Sequence, residues 1–114
     1  MKLHRLLVLA VVCSLFAGCS RPPQLTVINK SSSTLSNIVA SGSGFSRPLS
    51  ALAPGAQQQL TVSPRGESGL KLAVDAAGRH YEPQEQGYFE GGYNVSATVA
   101  PDFTVSIEST LPRY

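Results

Sequence analysis

His80, Ser68, Cys19 and a scatter of glutamates are the residues of this 114-residue chain whose types could do chemistry. An imidazole serves as a general base when a carboxylate orients it and a nucleophile lies within reach. Asp75 and Glu82 lie near His80 in sequence and serines are plentiful, but no spacing ties them into one constellation. A single histidine outside a motif reads as a surface residue. Ser68 stands in Gly66-Glu67-Ser68-Gly69-Leu70. Leu70 replaces the last glycine of a G-x-S-x-G nucleophile elbow, and the helix that such an elbow requires is not legible after it. Glu82, Glu85 and Glu90 are separated by Pro, Gln, Tyr and Phe. Calcium sites call for closely spaced oxygen ligands, and a paired-carboxylate glycosidase needs its two acids across a groove. These residues point to a protein that is not an enzyme and holds no metal or cofactor.

Two other stretches could recognise a partner. In Gln84-Glu85-Gln86-Gly87-Tyr88-Phe89-Glu90-Gly91-Gly92, adjacent aromatics are framed by glycines and polar residues. Read as a loop, it offers Tyr88, Phe89 and Glu90 as contacts, since exposed aromatics anchor interfaces. The alternative is a plug, with Phe89 folded over the end of the core. Ser41-Gly42-Ser43-Gly44-Phe45 is glycine-rich, but Arg47-Pro48 forbids the following helix that a phosphate cradle needs. Its Ser-Gly-Ser-Gly resembles the corresponding stretch of membrane-bound C-type lysozyme inhibitors, small β-barrel lipoproteins that push a loop into the enzyme's cleft. That resemblance implies an inhibitory loop at Ser41, Ser43 and Phe45.

The amino-terminal residues supply an address. Lys2 and Arg5 form a positive start, residues 6–17 are apolar, and Ala17-Gly18 leads into Cys19. The run is too short for a membrane span, which needs about 20 apolar residues, and Arg21-Pro22-Pro23 closes it. The segment resembles a bacterial lipoprotein signal peptide, with Phe16 at the position usually given to Leu, Val or Ile. The resemblance implies cleavage before Cys19, a diacylglycerol on its sulfur and fatty acid (palmitate) on its amine. Ser20, rather than Asp, is compatible with transfer to an outer membrane, with the domain facing the periplasm or the cell surface. Cys13 leaves with the signal, so no disulfide is available. The remaining chain carries seven basic and seven acidic residues and no formal net charge. Neither sign forms a block, which argues against nucleic acid as a partner.

The elements that must position these residues read as strands. Short runs of alternating apolar and polar residues are separated by turn signals, with no helical period. Runs near 25–28, 35–40, 58–63, 70–75, 79–82, 93–99 and 103–108 give about seven strands. Pro54-Gly55 suits a type II turn. Asp75-Ala76-Ala77-Gly78 reads as a type I turn with a bulged glycine, and residues 64–69 as a loop. One apolar face per strand predicts a single small antiparallel β-sandwich, immunoglobulin-like or transthyretin-like, with a small β-barrel as the alternative.

The expected organisation is therefore a signal peptide (1–18), a lipidated cysteine with a short proline-containing tether (19–23) reaching roughly 15 Å, and a β-sandwich domain (24–114). The expected role is a membrane-anchored, non-enzymatic binding or scaffolding module for another cell-envelope protein. A hydrolase inhibitor and a peptidoglycan- or glycan-binding module are the alternatives.

Overall fold

The computed structural model describes residues 21–112. Nine strands form the domain in chain order: β1 (Gln24–Asn29), β2 (Ser36–Gly42), β3 (Phe45–Leu49), β4 (Gln57–Thr61), β5 (Ser68–Ala76), β6 (Arg79–Tyr81), β7 (Gln86–Phe89), β8 (Asn94–Val99) and β9 (Val105–Thr110). One sheet has the order β4-β1-β8-β9; the other has β3-β2-β5-β6, with β7 also paired to β5. The two sheets form an open sandwich, and the barrel expectation is corrected. Inward residues of both sheets make one core. Leu25 and Val27 of β1 and Val95, Ala97 and Val99 of β8 meet Ile38 and Ala40 of β2, Leu70, Leu72 and Val74 of β5, and Phe89 of β7.

The sheets are not wholly antiparallel. β1 pairs with β8 in parallel, Gln24 opposite Asn94 through Asn29 opposite Val99. The alternation that the sequence displays is the same for either direction of pairing, so it could not distinguish them. Two strands were missed. β3 carries Arg47-Pro48, and as an edge strand it accommodates the proline. β7 lies within the stretch expected to be a loop and is broken from its neighbours by glycines. Gly87 has φ +77°, and a Cβ there would stand 2.8 Å from Ile107 Cγ2, so only glycine lets β7 approach β9. Ser68 and Gly69 belong to β5 rather than to a loop.

The described residues of the expected tether, 21–23, pack into the domain. Pro23 is fully buried, and its carbonyl accepts the Val62 N–H at 3.2 Å. The Arg21 carbonyl accepts the Gly92 N–H at 2.7 Å. The ordered domain therefore already includes residues 21–23.

At the other end of β1, the third inward position is a polar residue. Asn29 is fully buried. Its amide donates to the Ser33 carbonyl (2.9 Å) and the Leu52 carbonyl (3.0 Å). Its Oδ1 accepts from the Ser31 N–H (2.9 Å) and the Ser31 hydroxyl (2.7 Å). Its backbone N–H donates to Ala56 and its carbonyl accepts from Gly55. One side chain thus holds the β1–β2 and β3–β4 connections against the sheet.

The β5–β6 hairpin also differs from its expected form. Ala76 pairs directly with Arg79, and both Ala77 (φ 51°) and Gly78 (φ 75°) are left-handed. That is a two-residue type I′ turn, in which alanine carries a steric penalty that asparagine largely avoids.

Two substitutions follow. Asn29→Ala leaves several buried groups without partners and should cost about 2–4 kcal/mol, seen as a lower urea midpoint at unchanged slope. Ala77→Asn should raise stability by about 0.5–1 kcal/mol in the same assay.

Candidate functional site

Strand direction gives the sandwich two poles. β1 and β8 start at the pole that holds Arg21 and end at the opposite one. The antiparallel partners then assign the rest. The Arg21 pole gathers the β2–β3 turn, residues 62–68, residues 89–93 and the end of β9. The distal pole gathers the Asn29 connections, the β5–β6 turn and the β8–β9 turn.

The distal pole carries a charged cluster built on His80. β5 and β6 bring Asp75 opposite His80, and His80 Nδ1 lies 2.6 Å from Asp75 Oδ1. The carboxylate takes a second hydrogen bond at Oδ2 from the Asn37 amide at 2.8 Å. The Asn37 bond first, and the His80 bond second, hold the Asp75 carboxyl below its usual range. Asn37 itself sits at φ 47°, in a bulge where the β2–β5 register shifts between Ser36 and Val39. Beside this cluster lies a concavity of about 450 Å³ lined by Thr34, Ser36, Asp75, Arg79 and His80. The carboxylate orients the imidazole, as a general base would require. The Ser36 hydroxyl, however, is directed at the Asp75 carbonyl at 3.5 Å, and among the described residues the ring's bond is to Asp75 rather than to a hydroxyl. The arrangement is suited to recognising polar groups.

The Arg21 pole carries the aromatic residues singled out in the sequence. Tyr88 and Phe89 are neighbours on β7 and point to opposite sides. Phe89 is 1% exposed and meets Phe45 edge-on, 6.2 Å between centroids. The plug arrangement holds for Phe89, which is removed from the expected contact set. Tyr88 is 45% exposed. Its hydroxyl donates to Glu90 Oε2 at 3.0 Å, and its ring stands edge-on to Tyr93 at 6.0 Å. The Glu90 hydrogen bond, then burial and the Glu67 charge, push the Tyr88 phenol up to about 12. Glu90 also lines a groove of about 430 Å³ with Arg21, Pro22, Pro23 and Pro64.

The Ser-Gly-Ser-Gly stretch forms the tight β2–β3 turn rather than an extended loop. Ser41 pairs with Ser46 inside the hairpin. The Ser43 N–H donates to Ser68 Oγ (2.9 Å) and its hydroxyl to the Arg65 carbonyl (3.2 Å). Phe45 leans on Phe89. Ser41, Ser43 and Phe45 are thus engaged within the fold, and Ser68 serves as a brace for this turn. Glu82 pairs with Lys71 at 3.7 Å. Among the described residues no group of three His, Cys, Asp or Glu side chains could hold a metal. Cys19, the expected lipidation site, lies outside the described residues. Sequence reasoning missed Asn37, Tyr93 and Leu111. In sequence Asn37 is one polar residue of a strand-like run, and no signal there marks the bulge that turns it toward Asp75.

No family model and no curated protein matches the chain. It is similar in structure to a solved structure titled "NMR structure of the protein from Eubacterium rectale", with a TM-score of 0.59 and 12% identity over 82% of this chain and 91% of that one. At that identity the likeness shows the fold alone: an all-β sandwich of two sheets.

The Asp75 cluster makes a pH prediction. A carboxyl held below its unfolded value of about 3.8 contributes stability that is present above that pH and lost as pH falls through the folded value. Stability should therefore fall on acidification below about pH 4. Asp75→Asn should flatten that part of the curve, measured by urea unfolding at stepped pH.

Proposed function

We propose that this protein is a lipid-anchored envelope lipoprotein, acylated at Cys19, that presents a non-enzymatic sandwich module to another envelope protein through its distal pole. We also read the sandwich as immunoglobulin-like or transthyretin-like, which its sheets of four and five short strands support.

The observation that carries the reading is the distribution of backbone strain. Among the described residues, Asn37, Ala77 and Phe103 are the non-glycine residues with positive φ. All three belong to the pole opposite Arg21, and Asn37 and Ala77 flank the His80 concavity. Strained conformations of this kind persist where the surroundings over-determine them, and they concentrate at functional sites. The anchor supports the same orientation. With the chain tethered just before Arg21, the distal pole is the end presented away from a membrane. Polar groups at its concavity suit a polar protein segment.

Two measurements test this reading. Cys19→Ser should abolish incorporation of labelled palmitate and release the protein from the membrane fraction. A photo-crosslinking residue at Arg79 in cells should yield one discrete protein adduct, with none from Lys71 or Tyr88. A discrete adduct from Tyr88 alone, or the same diffuse products from all three positions, would overturn the assignment of the distal pole.

A further inference from the structure

We propose that the Arg21 pole is a lipid-facing surface, in which Tyr88, Tyr93 and Leu111 seat in the interfacial layer of a phospholipid bilayer. The inference rests on the lipid anchor at Cys19.

The exposed large apolar residues of the described domain are Tyr88 and Leu111, at 45% and 59%. They are not scattered. Gly92 joins them: a Cβ on it would lie 3.8 Å from Leu111 Cδ1, and its N–H is bonded to the Arg21 carbonyl. Tyr93, next in the chain, meets the Tyr88 ring. The exposed apolar groups are thus grouped around the point where the described chain begins. Tyrosine, with an apolar ring and a polar tip, favours the layer between hydrocarbon and water.

Chain length brings this pole within reach of the bilayer. Cys19 precedes Arg21 by two residues, so even fully extended chain keeps the two Cα atoms within about 7 Å. An acylated cysteine sits at the edge of the hydrocarbon, and each polar layer of a bilayer is itself about 5–8 Å thick. Arg21, hydrogen-bonded into the domain, is then held within reach of the headgroups, and the exposed side chains around Gly92 decide whether this pole seats among them. The pole also balances its charges, with Glu67 and Glu90 near Tyr88 and with Arg21 and Arg65 on the same end. It therefore needs no anionic lipid. Two or three interfacial side chains bind a membrane poorly on their own. The tether converts their contact into an intramolecular one at high effective concentration.

The test uses the full chain, acylated in bacteria and reconstituted into phosphatidylcholine vesicles. The anchor is first verified by the mass of the modified Cys19 peptide. A spin label at Asn94→Cys reports the Arg21 pole, and one at Ser32→Cys reports the distal pole. The Asn94 label should be shielded from a water-soluble nickel relaxant and open to oxygen, while the Ser32 label behaves as in water. The double change Tyr88→Ser with Leu111→Ser should return the Asn94 label to water-like values in protein that remains acylated. Water-like values at Asn94 in the acylated parent would overturn the proposal, as would shielding that survives the double change. Spin–spin broadening at Asn94 that vanishes on dilution with unlabelled chain would show a second copy covering the pole, and would overturn it too. An unmodified Cys19 would overturn the anchor and this inference together.

Discussion

β1 is the strand on which the rest of this fold depends, because it is hydrogen-bonded on both sides. It pairs antiparallel with β4 and parallel with β8. The second pairing joins segments about 70 residues apart, so it closes nearly the whole domain in one contact and pays the loop entropy at once. Its return comes from the inner face, where Leu25 and Val27 lie fully buried beside Val95 and Ala97. The last inward residue, Asn29, converts the end of this strand from a packing position to a polar joint. With its side-chain amide bonded at both donors and its oxygen bonded twice, the joint is fully satisfied, the condition under which a buried polar group specifies a structure rather than weakening it.

The direction of β1 also sorts the surface. The exposed large apolar side chains, Tyr88 and Leu111, lie where the described chain begins. Strained backbone, the oriented imidazole and the small concavity gather at the other end. A domain with no net charge after residue 18 and no block of either sign has little long-range field. What the surface offers is local shape and hydrogen-bonding groups, and the two poles differ in which of these they present.

The candidate sites were legible in unequal measure. Tyr88 and Phe89 stand out in the sequence as two adjacent aromatics among glycines. Which one was exposed depended on β7 forming at all, since neighbouring residues on a strand face opposite sides. The stretch at Ser41 to Phe45 was legible as glycine-rich, but that it is the β2–β3 turn, bonded to Arg65 and Ser68, depends on segments distant in sequence. His80 and Asp75 were close enough in sequence to be considered together, yet their 2.6 Å contact required the two-residue turn that puts them opposite each other. Asn37 completes the cluster through a register shift to which no residue pattern pointed.

By itself, the sequence determined the class of the fold and the inward set of its strands. Period-two alternation and turn residues are local signals, and they survive any arrangement of the strands. It also determined that no thiol and no net charge remain after residue 19. Tertiary structure alone decided the parallel pairing of β1 with β8, the strand character of β3 and β7, the inclusion of residues 21–23 in the domain, and the separation of the surface into two poles. Each of these depends on which strand lies beside which. That choice is made by burial shared between distant segments, and alternation within one segment carries no record of it.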